Sequence, residues 1–216
     1  ARGCRRLMAR VAHLDQLESI AVAGVNWRPV RRALGVTGFG INAFSAGAGE
    51  QLIEEHDESG AGAGGHEELY AVVAGHAAFV VDGKEIDAPA GTLVFVPETD
   101  SRRAARAVAD ATTVLVIGGA PGTIEPSAWE YSFSAAPAVD AGDPWHAYEI
   151  AAEGLGEHPD NPSLHYNLAC FASLAGDTDR AIEHLTRAFE GDPRMREWAA
   201  SDADLDAIRS DPRYPT

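Results

Sequence analysis

The sequence predicts a mainly β domain, an antiparallel barrel or sandwich, followed by a small α-helical unit. Three observations carry that expectation. Short apolar segments of strand length recur between residues 37 and 117, separated by glycine-rich or Asp-Gly turns. Asp82-Gly83 stands between the β-rich Phe79–Val81 and a segment starting at Lys84, a strong two-residue hairpin signal. After Pro144 the apolar spacing lengthens to that of a helix.

Residues 1–7 precede Met8 and read as an extension outside the fold. Ala9–Ile20 carries Val11, Leu14, Leu17 and Ile20 at helical spacing and is expected to form a short helix. The strand candidates are Thr37–Ser45, Gln51–Glu55, Glu68–Val73, Ala77–Val81, Lys84–Ala88, Thr92–Val96 and Thr112–Ile117. Ala120–Pro144, rich in Ala, Pro, Gly and Ser, reads as a connector. Trp145–Leu155, Pro162–Leu174 and Thr178–Phe189 are three helix candidates; Asp177 and Thr178 are fit to cap the last, and Gly191-Asp192-Pro193 to stop it. The expected division is an N-terminal segment over 1–35, a β-barrel over 36–136 and a helical domain over 137–216.

Composition bounds the function classes. The 33 acidic against 17 basic residues give a net charge of −16, which opposes nonspecific binding to the nucleic-acid backbone. From Pro137 onward there are 16 acids against six arginines, the texture of a solvated helical surface. No apolar run approaches the length of a membrane helix. Cys4 and Cys170 are far apart and offer neither a disulfide framework nor zinc spacing. With no signal-peptide pattern, the cytoplasm is the default location.

Gly91, five residues and Pro97, together with Glu68, six residues and Gly75, match parts of the two signature motifs of the cupin family, which residues 36–118 resemble. The resemblance implies a double-stranded β-helix barrel and, by its edge pairing, a homodimer. It is a fold that hosts dioxygenases, isomerases, epimerases, ligand sensors and storage proteins. The sequence departs from the pattern at the metal ligands. Thr99 replaces a motif glycine, Arg102 stands where a histidine ligand belongs, and the paired histidines before Glu68 give way to Ala61–Gly64.

Two His-x-Glu pairs, His56 with Glu58 and His66 with Glu68, can supply a replacement donor set, since residues i and i+2 of a strand share a face. Two imidazoles and two carboxylates suit Mn, Fe, Ni or Zn. Otherwise Glu58 and Glu67 are exposed hairpin charges, and His56 and His66 flank a loop. Arg102 and Arg103 are candidates to clamp an anionic ligand, Arg102 alternatively pairing with Glu68, and Tyr70 shares strand parity with Glu68 and can line the pocket. Arg28 and Arg31 can add to an anion site if the N-terminal segment folds over the opening.

Residues 162–195 resemble one tetratricopeptide repeat, on Leu168, Ala169, Ala181, Leu185, Ala188 and Pro193. A preceding half-repeat is expected in 144–160, with a cap after 194. His165 and His184 are read as surface or packing residues. The leading functional expectation is a metal-binding cupin that acts on or senses a small organic acid. The competing one is a non-catalytic interaction protein whose helical tail docks a protein partner.

Overall fold

The computed structural model describes residues 9–22 and 24–215. Residues 1–7, expected to be an extension and containing Cys4, lie outside the described residues. The chain forms two compact units, Ala1–Ile124 and Glu125–Thr216.

The first unit contains ten strands: β1 Ile20–Val22, β2 Val25–Arg28, β3 Gly40–Ala46, β4 Gln51–His56, β5 Glu67–Ala74, β6 His76–Val81, β7 Lys84–Pro89, β8 Leu93–Val96, β9 Arg103–Ala107 and β10 Thr112–Gly119. They build two antiparallel sheets, a six-stranded one in the order β1-β2-β3-β10-β5-β8 and a four-stranded one in the order β4-β9-β6-β7. Alternation along the strands decides which side chains meet between the sheets. On β5 it buries Glu68, Tyr70 and Val72, and on β10 Val114 and Val116; Leu52, Phe79 and Ala105 meet them from the other sheet. The hairpin at Asp82-Gly83 closes as expected, with φ of 48° and 77° and Val81 paired with Lys84.

The segment 9–20 is not a helix. Only a 3₁₀ turn forms at Leu14–Gln16, Val11 is 92% exposed, and Ile20 instead pairs with Trp27 in a β1–β2 hairpin. A segment this short has no helix stability of its own without a face to bury. The sequence also hid β9, whose Arg-Ala-Ala-Arg-Ala has little β propensity. Its place is fixed from outside, by pairing with β4 on one edge and β6 on the other.

The second unit contains helices α2 Ala128–Asp140, α3 Pro144–Ala152, α4 Pro162–Leu174, α5 Thr178–Gly191 and α6 Met195–Ala199; α1 is the short helix Val30–Leu34 of the first unit. Asn161 and Asp177 cap α4 and α5 through their side chains. The fully buried Ala169, Ala172, Ala181 and Ala188 let the pair approach closely around Leu185. The span read as a connector contains α2, so this unit begins ahead of residue 137. Pro137 inside α2 lacks the amide a helix requires, but Ala135 and Ala138 bury against Ala147, Leu164 and Leu168, and packing outweighs the lost bond.

Candidate metal and ligand site

At one end of the space between the sheets, β4, β5 and β9 bring five polar side chains together. His56 closes β4, where two register shifts against β9 turn its side chain toward β5. Its Nε2 lies 3.5 Å from Glu68 Oε2 and 4.0 Å from Glu58 Oε1. Its Nδ1 lies 2.7 Å from the carbonyl oxygen of Glu54. A carbonyl only accepts, so Nδ1 carries a proton, and Nε2 faces the two carboxylates, as a donor when the ring is protonated and as a bare lone pair when it is neutral. Glu58 is held in place by the glycine-rich loop, its Oε2 accepting the Gly64 amide at 2.7 Å.

Glu68 is buried, and Oε2 is its busiest atom. It accepts the Tyr70 hydroxyl and, at 3.1 Å, Arg103 Nε. Arg103 Nη2 lies 3.1 Å from the same oxygen as an ion pair without hydrogen-bond alignment. Arg103 is 1% exposed, and its Nη1 donates to the Ser101 carbonyl at 2.6 Å. Burial alone would raise the Glu68 carboxyl pKa; the hydrogen bonds from His56 and Tyr70 and the Arg103 charge outweigh it and hold it low. The Glu68 contact raises the His56 pKa against a smaller opposing effect of burial. Burial, then the adjacent Glu68 charge, pushes the Tyr70 hydroxyl far up, so it stays a donor.

The structure separates the sequence-predicted residues. His56, Glu58 and Glu68 form one group whose donor atoms lie within 4.8 Å of one another. His66 stands at its rim, Nδ1 4.0 Å from Glu58 Oε2 and outside that group, because its strand starts only at Glu67. Tyr70 reaches the site. Arg102 does not: its guanidinium is exposed and pairs with Glu55 at 3.1 Å instead of with Glu68. Arg103 is the inward residue of β9, but Glu68 and two backbone carbonyls occupy it, so it is no ligand clamp. β9 carries no strand signal of its own, and without the strand the parity of Arg102 and Arg103 could not be read.

Beside this cluster opens a cavity of about 450 Å³ lined by Val22, Val25, Trp27, Phe44, Ile53 and Val116, with His56, Glu68 and Tyr70 at its polar wall. Trp27 comes from the β1–β2 hairpin, which the helical expectation for 9–20 had concealed. Arg28, one residue on, faces the opposite side of the sheet, and exposed Arg31 is tied to the Val36 carbonyl at 3.4 Å. Neither joins the cavity.

The donor set fits a divalent ion. Two ligands each about 2.1 Å from a zinc-type centre lie roughly 3.4 Å apart at a tetrahedral angle, close to the 3.5 Å between His56 and Glu68. The Glu54 carbonyl fixes the His56 ring as the outer partners of metal-bound histidines do.

No protein-family model matches the chain, and no curated protein sequence matches it. Among solved structures it is similar to a cupin protein from Bacteroides fragilis, with 21% identity over 52% of this chain and 91% of that one and a TM-score of 0.41. A sugar phosphate isomerase of the cupin superfamily from Silicibacter pomeroyi is 21% identical over 50% and 74%, with a TM-score of 0.42. A predicted oxalate decarboxylase from Thermotoga maritima is 13% identical over 50% and 97%, also at 0.42.

Proposed function

We propose that the first unit is a cupin-type barrel that binds a divalent metal through His56, Glu58 and Glu68 and a small, largely apolar organic ligand in the adjoining cavity. The observation that carries this reading is the convergence of His56 Nε2 on the Glu58 and Glu68 carboxylates. The cluster calls for positive charge at that point, which a proton on Nε2 supplies in the free site and a metal ion would supply in its place. A bound metal supplies Lewis acidity there. Arg103 and Tyr70 bond Glu68 Oε2, the oxygen that faces His56 Nε2, and so fix the carboxylate against the site. The ligand body packs among Trp27, Phe44, Val25 and Val116, which exclude water from the polar wall.

Elemental analysis of untagged protein is expected to find about one Mn, Fe, Ni or Zn per chain. His56→Ala and Glu58→Ala are expected to lose it while keeping the wild-type circular dichroism. Protein that stays metal-free after incubation with these ions overturns the metal reading.

A second reading is an interaction module acting through the helical unit, with α4 and α5 as one tetratricopeptide-like hairpin. The exposed aromatic pair on α2 favours it: Trp129 and Phe133 are 55% and 68% exposed, with ring centroids 4.9 Å apart. Capture of a protein partner that is lost in a Trp129→Ala/Phe133→Ala variant would support it.

A further inference from the structure

We propose that the outer face of the six-stranded sheet carries a second ligand site, an oxyanion pocket built around Arg28 that takes a phosphate group. Alternation on β2 sends Val25 and Trp27 into the barrel cavity and Asn26 and Arg28 to the other face. There they meet Ser45, the neighbour of the inward Phe44, across the β2–β3 pairing. A cleft of about 290 Å³ results, lined by Ser19, Asn26, Arg28, Ser45 and Gly47.

The charge of Arg28 is uncompensated. Its Nη1 donates to Ser45 Oγ at 2.6 Å, a neutral partner, and its Nε is buried without any partner. Among the described residues no carboxylate oxygen lies within 4.0 Å of its guanidinium, and residues 1–8, 23 and 216 include no aspartate or glutamate. Acids outnumber bases almost two to one in this chain, and seven other arginines are paired with carboxylates. Glu50 and Asp110, at the neighbouring turns, direct their carboxylates to the amides of Gly47 and Ala48. A half-buried guanidinium held by one hydroxyl is poorly solvated and attracts an anion.

The donors around it favour a tetrahedral oxyanion. Ser45 Oγ lies 2.9 Å from Thr113 Oγ1. When Thr113 donates to Ser45, Ser45 accepts from both Thr113 and Arg28, and its own proton is free to point into the cleft. Arg28 Nη2 makes no hydrogen bond among the described residues, and Ser19 and Asn26 line the same cleft with a hydroxyl and an amide. Donors spread in several directions match the oxygens of a phosphate better than the plane of a carboxylate. The site is independent of the metal reading, since none of its residues touches the His56–Glu68 cluster.

The test is calorimetric titration of the full chain with inorganic phosphate, and separately with glycerol phosphate, each against chloride at equal ionic strength. Saturable binding is expected, weakened about tenfold or more in Arg28→Gln and less in Ser45→Ala. Arg28→Lys should keep the fold and part of the affinity, because it retains the charge but loses the fork. Arg102→Gln, far from the cleft in the pairing scheme, should bind as wild type. Stronger binding of the monoester assigns the pocket to an organic phosphate, and equal binding to the free ion. Absence of binding beyond the chloride reference overturns the proposal. So does equal affinity in Arg28→Gln; if that variant does not fold, equal affinity in both Arg28→Lys and Ser45→Ala overturns it.

Discussion

Replacing Glu68 by alanine is expected to destabilise the β unit by about 3–5 kcal/mol, because it strands a buried charge. Arg103 is 1% exposed and, among the described residues, pairs with no carboxylate except Glu68; Tyr70 would lose its acceptor as well. The loss should appear as a fall in the unfolding midpoint on the order of 10 °C. Glu68→Gln keeps an acceptor oxygen without the charge and should fall between wild type and Glu68→Ala. Removing both charges, as in Glu68→Leu/Arg103→Leu, should recover most of the stability, since a well-packed apolar pair removes the stranded ion. A Glu68→Ala protein as stable as wild type would refute the structural role of this ion pair. The same argument explains why metal loss should be tested at His56 and Glu58. A Glu68 variant confounds ligation with folding.

The second large effect is a pH dependence in the helical unit. His165 Nε2 lies 2.8 Å from the Pro159 carbonyl and must donate to it, which leaves its Nδ1 as an acceptor. His184 Nδ1, 2.9 Å away, donates to that nitrogen, and His184 Nε2 accepts from Tyr148 at 2.9 Å. Every ring nitrogen is satisfied with both imidazoles neutral. Burial, followed by the neighbouring His165, pushes the His184 pKa down to about 4; Arg187 and Arg180 add to the shift and Glu183 opposes it. Between the unfolded value near 6.5 and about 4, the unfolded chain binds the proton and the folded chain does not. Stability is therefore fully present above pH 6.5 and lost as pH falls toward 4, by about 2–3 kcal/mol. Denaturant titrations of the helical signal at pH 7 and pH 4.5 should show this loss. His184→Gln should be less stable at pH 7 but have a flatter slope across the window. A wild-type slope no steeper than that of the variant would rule the histidine pair out as its cause.

Legibility in the sequence followed the origin of each signal. Seven strands were readable because alternation, β-branched residues and turns are local. β7 begins at the Lys84 that follows Asp82-Gly83, and β4 begins at the expected Gln51. Helices α4 and α5 were readable for the same reason, through their caps and stops. The elements that escaped are defined by partners distant in sequence. β9 is arginine and alanine, and only its two neighbours make it a strand; β1 begins at Ile20, the last residue of the expected helix, and β2 lies in a span to which no element was assigned. The site inherited these gaps. His56, Glu58 and Glu68 were visible in the sequence as members of two His-x-Glu pairs, although Glu58 lies past the end of β4 and His66 ahead of β5, whereas the inward turn of Arg103 needed β9, and Trp27 in the cavity needed β2. Arg28, offered to the barrel opening on the condition that the N-terminal segment folds over it, faces away from that cavity, and its parity could not be read without β2.

Gly75 has φ +72°, and a Cβ there would stand 2.6 Å from the Thr112 Cα and 2.5 Å from its hydroxyl. Two backbones touch at that point, and the neighbouring Ala90 amide donates to the Gly75 carbonyl at 3.0 Å. No side chain can enter such a crossing, whatever chemistry the barrel performs. The six-residue interval from Glu68 to Gly75 is thus a measure of strand length set by a steric corner, and it records the architecture while saying nothing of what the barrel holds. The donor positions around it, free of any such corner, are where one barrel of this type can differ from the next without disturbing its frame.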